Sequence, residues 1–282
     1  MSADAARARA TGLGISGSYR LVLSGRLRAV PSTLFVTERA QQTANAPLVV
    51  MVHGSMDRHA SFIGVRRALP HAGTILYDRR GYGRSRDSPV ASGLDDHVTD
   101  LLDLCAGRSV VVLGHSYGGC VALRAAQLAP EVVTGLVVFE APLPWLEGWP
   151  KDTGGGRALA APDPPAAAEA FLRRLLGDER WEALPERTKD DRRAEGPALL
   201  SDMRSVRPSP GAPAPVDLAS VTQPVVVGRG SSSSAHLMAG AKRLVGLLPS
   251  AELVTLAGAT HGAHASRPAE VAALVGRLTV SP

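Results

Sequence analysis

The chain has 282 residues, of which 45% are hydrophobic, 20% charged and 4% aromatic. This length allows a sizeable buried core, and the composition is neither that of a collagen-like repeat nor that of a disordered chain. The formal net charge of +5 comes from arginines scattered along the sequence, without a basic run interleaved with aromatics. The charge therefore indicates a solvated surface and not a nucleic-acid or membrane partner, and we expect the partner to be a small-molecule substrate.

No segment has the features of a membrane span or a secretory signal. The longest apolar runs, such as residues 48–52, are far shorter than the roughly 20 residues that a spanning helix needs. Residues 1–17 contain Asp4, Arg7 and Arg9 but no apolar signal region. We therefore expect a cytoplasmic protein with a flexible N-terminus over residues 1–18. Cys105 and Cys120 lack metal-site spacing and are expected to be buried free thiols.

Apolar, β-branched stretches alternate with helical stretches, which predicts a largely parallel sheet. Two weakly marked strands, at residues 19–23 and 33–37, are compatible with an antiparallel edge hairpin. The later strands are near-continuous apolar runs, as is typical of strands covered by helices on both faces. They are predicted at residues 48–52, 74–77, 109–113 and 132–139, with helices at residues 60–69, 94–106 and 117–128.

The alternation stops at residue 140 and resumes at residue 224. Between these points lie a Gly/Pro/Ala-rich stretch and an amphipathic helix whose apolar face carries Phe171, Leu172, Leu175 and Leu176. A helix, a strand and a helix are predicted at residues 235–248, 252–256 and 268–278. The sequence thus predicts a core formed by residues 19–140 and 224–282, interrupted by a helical cap over residues 141–223.

The most informative stretch is a strand followed at once by a helix, with Ser116 at the turn. It matches the G-x-S-x-G pattern through Gly114 and Gly118. A serine raised on such a strained turn needs glycines at these two positions, because a Cβ there would meet neighbouring backbone. The helix that follows points its first amides at the serine, where they stabilise developing negative charge. Ser116 is therefore the candidate nucleophile.

A serine nucleophile needs a base. Among the eight histidines, His261 is the best placed, because it lies in a loop of small residues after the last predicted strand. The carboxyl edge of an open α/β sheet is where such sites collect. His264, three residues further on, is the alternative.

Together with two further motifs, this pattern resembles the α/β-hydrolase family over residues 47–278. The motifs are Val-His-Gly-Ser at residues 52–55 and the loop at residues 77–85 after the following strand. The resemblance implies an eight-stranded sheet with helices on both faces and a cap inserted after the sixth strand. It also implies a catalytic triad in the order serine, acid, histidine, and it calls for no metal or organic cofactor. Epoxide hydrolases and haloalkane dehalogenases of this fold have an aspartate where Ser116 stands.

The acid departs from the commonest pattern of the family. The loop after the seventh predicted strand has no carboxylate, and neither Asp nor Glu occurs between Asp217 and Glu252. Glu140 follows the sixth predicted strand, a position from which some family members take their acid. We therefore assign Glu140 to orient His261. The alternatives are that Glu140 pairs with an arginine or holds the start of the cap. Asp78 is the other carboxylate at a strand end, and the resemblance gives it a structural loop role.

The resemblance places the oxyanion hole on two backbone amides, those of Tyr117 and Ser55, with Met56 as an alternative to Ser55. His53 is expected to hold its loop by hydrogen bonds.

The substrate pocket is expected to include Met56, Trp145, Leu146 and Trp149, with Phe171 and Leu175 or Leu176 closing it. An apolar lining favours an apolar acyl or ring group. Alternatively, these cap residues form only the core of the cap, as is expected for Trp181 and Leu184.

The leading functional hypothesis is a serine hydrolase that cleaves an ester, lactone or thioester through an acyl-enzyme on Ser116. The same three residues would also serve an acyltransferase or a hydrolase of C–C bonds next to a ketone. A hypothesis of a different class is a ligand-binding protein without turnover, which the missing acid after the seventh strand favours. The sequence does not decide between oligomeric states.

Overall fold

The computed structural model describes residues 20–23, 26–29 and 34–279. The predicted flexible N-terminus over residues 1–18 lies outside this range. Nine strands are present in the described residues: β1 (Arg20–Leu23), β2 (Arg26–Ala29), β3 (Val36–Arg39), β4 (Leu48–Val52), β5 (Gly73–Tyr77), β6 (Val110–His115), β7 (Val133–Phe139), β8 (Val225–Gly230) and β9 (Ala251–Leu256).

Eleven α-helices accompany the described strands. They are α1 (Ile63–Ala68), α2 (Leu94–Cys105), α3 (Tyr117–Leu128), α4 (Gly154–Ala160), α5 (Pro164–Leu176), α6 (Asp178–Glu182), α7 (Glu186–Arg193), α8 (Gly196–Ser205), α9 (Ala235–Leu247), α10 (Ala263–Ser266) and α11 (Pro268–Thr279). The helices α4 to α8 all lie in the segment between β7 and β8, residues 141–223, which we call the insertion. None of the described helices is long and apolar enough to cross a membrane.

The main sheet has the order β3-β5-β4-β6-β7-β8-β9. Every pairing in it is parallel except that of β3 with β5. This confirms the predicted mostly parallel α/β-hydrolase fold with a helical insertion. Parallel neighbours bring their carboxyl ends to one edge, so the residues that follow β4, β6, β7 and β9 are collected there.

The main sheet has seven strands in the described residues, one fewer than the eight that we expected. The expected edge hairpin was also wrong: β1 pairs with β2 in a separate two-stranded sheet, while β3 pairs with β5. The two segments were weakly marked because strands of four residues carry little periodic pattern. Pairing of β1 with β2, its nearest neighbour in the chain, also closes a shorter loop and loses less conformational entropy.

Alternate residues of each central strand face opposite sides of the sheet. Val50 and Val52 of β4 belong to a core that also contains residues of α2, α3 and the insertion. Val49 and Met51 belong to a second core with residues of α1 and α11. All five residues of β4 are buried, as predicted for a strand covered on both faces. Cys105 and Cys120 are buried free thiols, as expected.

Candidate active site

Ser116 lies at the turn between β6 and α3, with φ 52° and ψ −126°. Positive φ in a residue other than glycine is strained, and the surrounding structure must hold it. A Cβ at Gly114 would collide with the carbonyl oxygen of Gly118, and a Cβ at Gly118 would collide with that of Val52. The steric reason for the two glycines of the motif is thus confirmed. The turn presents Ser116 at the start of α3.

Glu140 follows β7 and His261 follows β9, and their side chains are in direct contact. Oε2 of Glu140 lies 2.7 Å from Nδ1 of His261. Oε1 of Glu140 accepts a hydrogen bond of 2.7 Å from the amide of Gly230, which is the last residue of β8. The structure therefore brings Glu140 to the loop after β8, where the commonest family pattern has its own acid. An ionised Glu140 accepts a hydrogen bond from Nδ1–H of His261, which selects the tautomer in which Nε2 is the unprotonated nitrogen of the imidazole.

The environment of Glu140 keeps its carboxyl ionised. Burial raises the pKa of Glu140, but the hydrogen bond and charge of His261, together with the amide of Gly230, bring that pKa below its ordinary value. The side chain is fully buried. Glu140 also has φ 51°, a second strained backbone at the carboxyl edge of the sheet.

Ser116 and His261 line one cavity of about 260 Å³. In the described part of the chain the structure records no hydrogen bond between the Ser116 hydroxyl and the His261 ring. Such contacts are often long without a bound substrate and tighten when one is present. The geometry thus brings Glu140 and His261 into contact and puts Ser116 in the same cavity.

Ser55 and Tyr117 also line this cavity. The amide of Tyr117 is in the first turn of α3, where amides have no partner within the helix. The hydroxyl of Ser55 points to the insertion instead, where it donates a hydrogen bond of 2.7 Å to Oδ2 of Asp202. Met56, the alternative donor, has φ 59°, and its carbonyl accepts a hydrogen bond from Arg192.

Three of the four residues expected in the pocket lie elsewhere, which corrects the prediction for them. Met56 is 4% exposed and packs in the core. Trp145 is partly buried against the same core, and Leu146 lines a smaller neighbouring cavity of about 100 Å³. Trp149 does line the main cavity. Proximity in sequence, of Met56 to Ser55 and of Trp145 and Leu146 to Glu140, did not predict side-chain direction, because the turns after β4 and β7 set that direction.

The main cavity is lined by apolar and polar side chains, some of which sequence analysis did not predict. Phe171 and Leu175 line it, whereas Leu176 does not. Its other apolar residues are Pro142, Pro144, Met203, Val206 and Leu237. Its polar side chains, besides those already described, are Thr153, Arg174, Arg207, Ser232, Ser233, Ser234, His236 and Thr260. Three of them, Ser232, Ser233 and Ser234, belong to a serine run at residues 231–234, a local sequence pattern that could have indicated polar residues at the site.

His53 holds its loop by hydrogen bonds, as predicted. Its Nδ1 donates to the carbonyl of Gly54 at 2.7 Å, and its Nε2 accepts from the amide of Arg79 at 2.8 Å. Burial, assisted by the charge of Arg79, lowers the pKa of His53 to about 4, so the ring is neutral at pH 7. Asp78 likewise has a structural role, since its carboxylate accepts hydrogen bonds from the amides of His59 and Arg84.

Two further imidazoles, those of His115 and His264, lie close to His261. The Nε2 of His115 lies 2.9 Å from the carbonyl of His261, and its ring stands between those of His261 and His264, with centroids 4.5 and 3.9 Å away. His264, the alternative base, has its Nε2 3.0 Å from Oδ2 of Asp57. His264 is thus already paired with a carboxylate of its own, and the group supports the position of the His261 backbone.

Asp57, His115 and His264 each place one ligand atom within 4.8 Å of the others, as a metal site would require. The hydrogen bond from His264 to Asp57 and the stacking of the two rings account for this arrangement without an ion. A metal bound through Nε2 of His264 would have to break that hydrogen bond. We therefore assign the cluster a positioning role.

A buried charged network joins the insertion to the core. Asp202, on α8, pairs with Arg79 through two hydrogen bonds of 2.7 and 3.0 Å and also accepts one from the hydroxyl of Tyr82. Arg79 and Asp202 are almost completely buried. Sequence analysis missed this pair, because residues 123 positions apart leave no local pattern.

Comparisons with known proteins show the family of this chain. The model of the alpha/beta hydrolase family matches residues 49–274. A 2-(acetamidomethylene)succinate hydrolase of Mesorhizobium japonicum is 26% identical over 243 residues, covering 80% of this chain and 85% of its own. A Haemophilus influenzae protein, named provisionally as an esterase/lipase, is 24% identical over 243 residues, covering 82% of each chain.

Among solved structures, the enol-lactonase of Burkholderia xenovorans superposes with a TM-score of 0.66 at 19% identity, covering 88% of this chain and 96% of its own. An esterase of Exiguobacterium antarcticum superposes with a TM-score of 0.67 at 18% identity, covering 94% of this chain and all of its own. At these identities the likeness concerns the fold. With the family match over most of its length, this chain belongs to the α/β-hydrolase family and is a hydrolase.

Proposed function

We propose that the protein is a serine hydrolase that cleaves an ester, lactone or thioester of a small substrate through an acyl-enzyme on Ser116. The observation that carries the proposal is the contact of 2.7 Å between Glu140 and His261 at the edge of the cavity that Ser116 lines. The strained turn of Ser116 supports it further, as do the names of two relatives, an esterase/lipase and a 2-(acetamidomethylene)succinate hydrolase.

In the first half of the proposed reaction, Oγ of Ser116 attacks the substrate carbonyl while Nε2 of His261 takes the hydroxyl proton. The amides of Tyr117 and Ser55 stabilise the resulting oxyanion. The tetrahedral intermediate then collapses, the C–O or C–S bond breaks, and the leaving group receives the proton from His261. Glu140 holds the ring in one tautomer and stabilises the imidazolium.

In the second half, a water molecule gives one proton to His261 and adds to the acyl carbon of the Ser116 ester. Collapse of this intermediate releases the carboxylic acid, and the proton on His261 returns to Ser116. Protons therefore balance over one turnover, and the net change is hydrolysis of one acyl bond. The apolar part of the lining, with Trp149, Phe171 and Leu175, fits an apolar acyl or ring group.

The alternative of a ligand binder without turnover depended on the absence of an acid after the seventh predicted strand. The hydrogen bonds of Glu140 to His261 and Gly230 offer a carboxylate at that place from another strand. This observation favours an enzyme with an assembled acid and base over a binder.

A fluorophosphonate reagent tests the proposal, because it forms a covalent bond with an activated serine. We expect labelling of the wild type and none of Ser116→Ala. Ser220→Ala is the matched control, because Ser220 is exposed and lies outside the cavity, and it should be labelled like the wild type. Equal labelling of Ser116→Ala, or an unlabelled wild type that also fails to hydrolyse short p-nitrophenyl esters, would overturn the proposal.

A further inference from the structure

Two arginines, Arg174 of α5 and Arg207 just after α8, line the main cavity. No aspartate or glutamate is among the residues that line it in the described part of the chain. Two carboxylates contact residues of the cavity without lining it: Glu140 is bound to His261 and Gly230, and Asp202 is bound to Ser55 and Arg79. Among the described residues that line it, the cavity therefore has two guanidinium groups and no acidic side chain.

The pairing of Arg207 differs from that of comparable arginines. Arg173, Arg192 and Arg193 are the other half-buried arginines of the insertion, and each forms at least one ion pair. Arg207 is half-buried too, yet no carboxylate of the described residues lies within 4.0 Å of it. Its one hydrogen bond from Nη1 is a long contact of 3.4 Å to the carbonyl of Met203.

Burial lowers the pKa of Arg207, and no acidic neighbour offsets this effect. Removing a guanidinium from water without a counter-charge costs free energy, which a bound anion would offset. The guanidinium packs close to Gly155, where an added Cβ would lie 2.5 Å from Sδ of Met203 and 3.2 Å from Nη1 of Arg207. Guanidinium groups bind planar anions through paired hydrogen bonds.

Arg174 adds a second positive charge at the same cavity. It is more exposed than Arg207 and forms no ion pair within the described residues. His236 faces the same cavity, and burial together with the charge of Arg174 lowers its pKa, so it adds little positive charge at neutral pH. The positive potential therefore comes from the two arginines.

We propose that Arg207 and Arg174 bind an anionic group of the substrate, a carboxylate or a phosphate. This group is at the end of the substrate opposite the scissile carbonyl. This inference rests on the proposed serine hydrolase function and narrows its substrates to small acyl compounds with a negatively charged end. Arg207 forms the desolvated contact, and Arg174 adds attraction from the more exposed side of the cavity.

The test compares two esters of the same length that differ only at their end. Monomethyl glutarate ends in a carboxylate and methyl pentanoate in a methyl group, and titration of the released acid follows the cleavage of both. We expect kcat/KM to be about 10- to 100-fold higher for monomethyl glutarate, which corresponds to a net gain of about one hydrogen bond to a charged group. A third ester, methyl 4-phosphonobutanoate, distinguishes a phosphate preference from a carboxylate preference.

Arg207→Gln and Arg174→Gln should each lower the ratio of the two kcat/KM values, Arg207→Gln by about tenfold or more. Arg204→Gln is the matched control, because Arg204 is exposed on α8 and does not line the cavity. Its ratio should stay within about twofold of the wild type. Equal cleavage of charged and neutral esters by the wild type, or an unchanged ratio in both arginine variants, overturns the inference.

Calorimetric binding of glutarate to Ser116→Ala separates this inference from the proposed function. If glutarate binds and Arg207→Gln in that background abolishes binding, the anion site stands even where no ester is cleaved and no fluorophosphonate reacts. If esters are cleaved through Ser116 without a charge preference and glutarate does not bind, the anion site fails and the serine hydrolase stands.

Discussion

The hydroxyl of Ser55 donates a hydrogen bond of 2.7 Å to Oδ2 of Asp202, which is 147 residues away on the insertion. The same carboxylate pairs with Arg79 and accepts a hydrogen bond from Tyr82, both from the loop after β5. Ser55 is one of the two residues whose amides we assign to the oxyanion hole. The insertion is thus connected to the reaction centre through one buried aspartate.

We expect Asp202→Asn to lower the free energy of unfolding by about 3–5 kcal/mol, because it leaves the charge of Arg79 buried without its partner. Urea denaturation at pH 7 measures this change. Asp191→Asn is the control, because Asp191 is 49% exposed and pairs with the exposed Arg86, and its effect should stay below about 1 kcal/mol. Similar effects for the two variants would contradict the assigned importance of the network.

Glu140→Gln should lower kcat for p-nitrophenyl acetate by about 10²- to 10⁴-fold while the protein remains folded. Glutamine retains the shape of the side chain but cannot stabilise a charged His261 and no longer selects its tautomer. Glu147→Gln, at an exposed position of the insertion outside the main cavity, should keep wild-type kcat. Near wild-type kcat for Glu140→Gln would remove Glu140 from the mechanism.

Two helical glycines should respond to alanine with opposite signs. Gly118→Ala places a Cβ against the carbonyl oxygen of Val52, a rigid backbone atom of β4, and should lower the free energy of unfolding by about 3 kcal/mol or more. Gly246→Ala, on α9 with no atom within 4 Å of its added Cβ, should raise it by up to about 1 kcal/mol. Thermal and urea unfolding of both variants test this contrast. A tolerated Gly118→Ala would show that β4 and the turn can move apart.

The stability of the protein should fall as the pH falls from about 6.5 towards 4. His53 has a pKa of about 4 in the folded protein, whereas an unfolded histidine has a pKa of about 6.5. Between these values the unfolded chain binds a proton that the folded protein does not, so acid favours unfolding. Above about pH 6.5 both states are neutral at this residue, and its contribution no longer changes with pH.

Over the whole interval the loss attributable to His53 is about 3 kcal/mol. Urea denaturation at pH 7, 6 and 5 measures it as a difference in slope between the wild type and His53→Gln, whose amide oxygen can still accept from the amide of Arg79. Parallel pH profiles for the two proteins would show that His53 is not neutral in the folded state.

The sequence by itself determined the features that depend on local sterics and periodicity. The alternation of apolar strands and helices predicted the mostly parallel sheet, and the glycines around Ser116 predicted its strained turn. The absence of Asp and Glu between Asp217 and Glu252 directed attention to Glu140. The sheet and the turn needed only neighbouring residues, whereas the choice of Glu140 combined a count of residue types with the resemblance to the α/β-hydrolase family.

Only the tertiary structure decided which side chains face the cavity and which are buried elsewhere. Met56, Trp145 and Leu146 lie away from the main cavity, while Arg174 and Arg207 line it. Ser55 meets Asp202, and Arg79 meets the same carboxylate, across more than a hundred residues. Such contacts depend on how the insertion packs on the sheet, and packing between distant segments leaves no periodic trace in the chain.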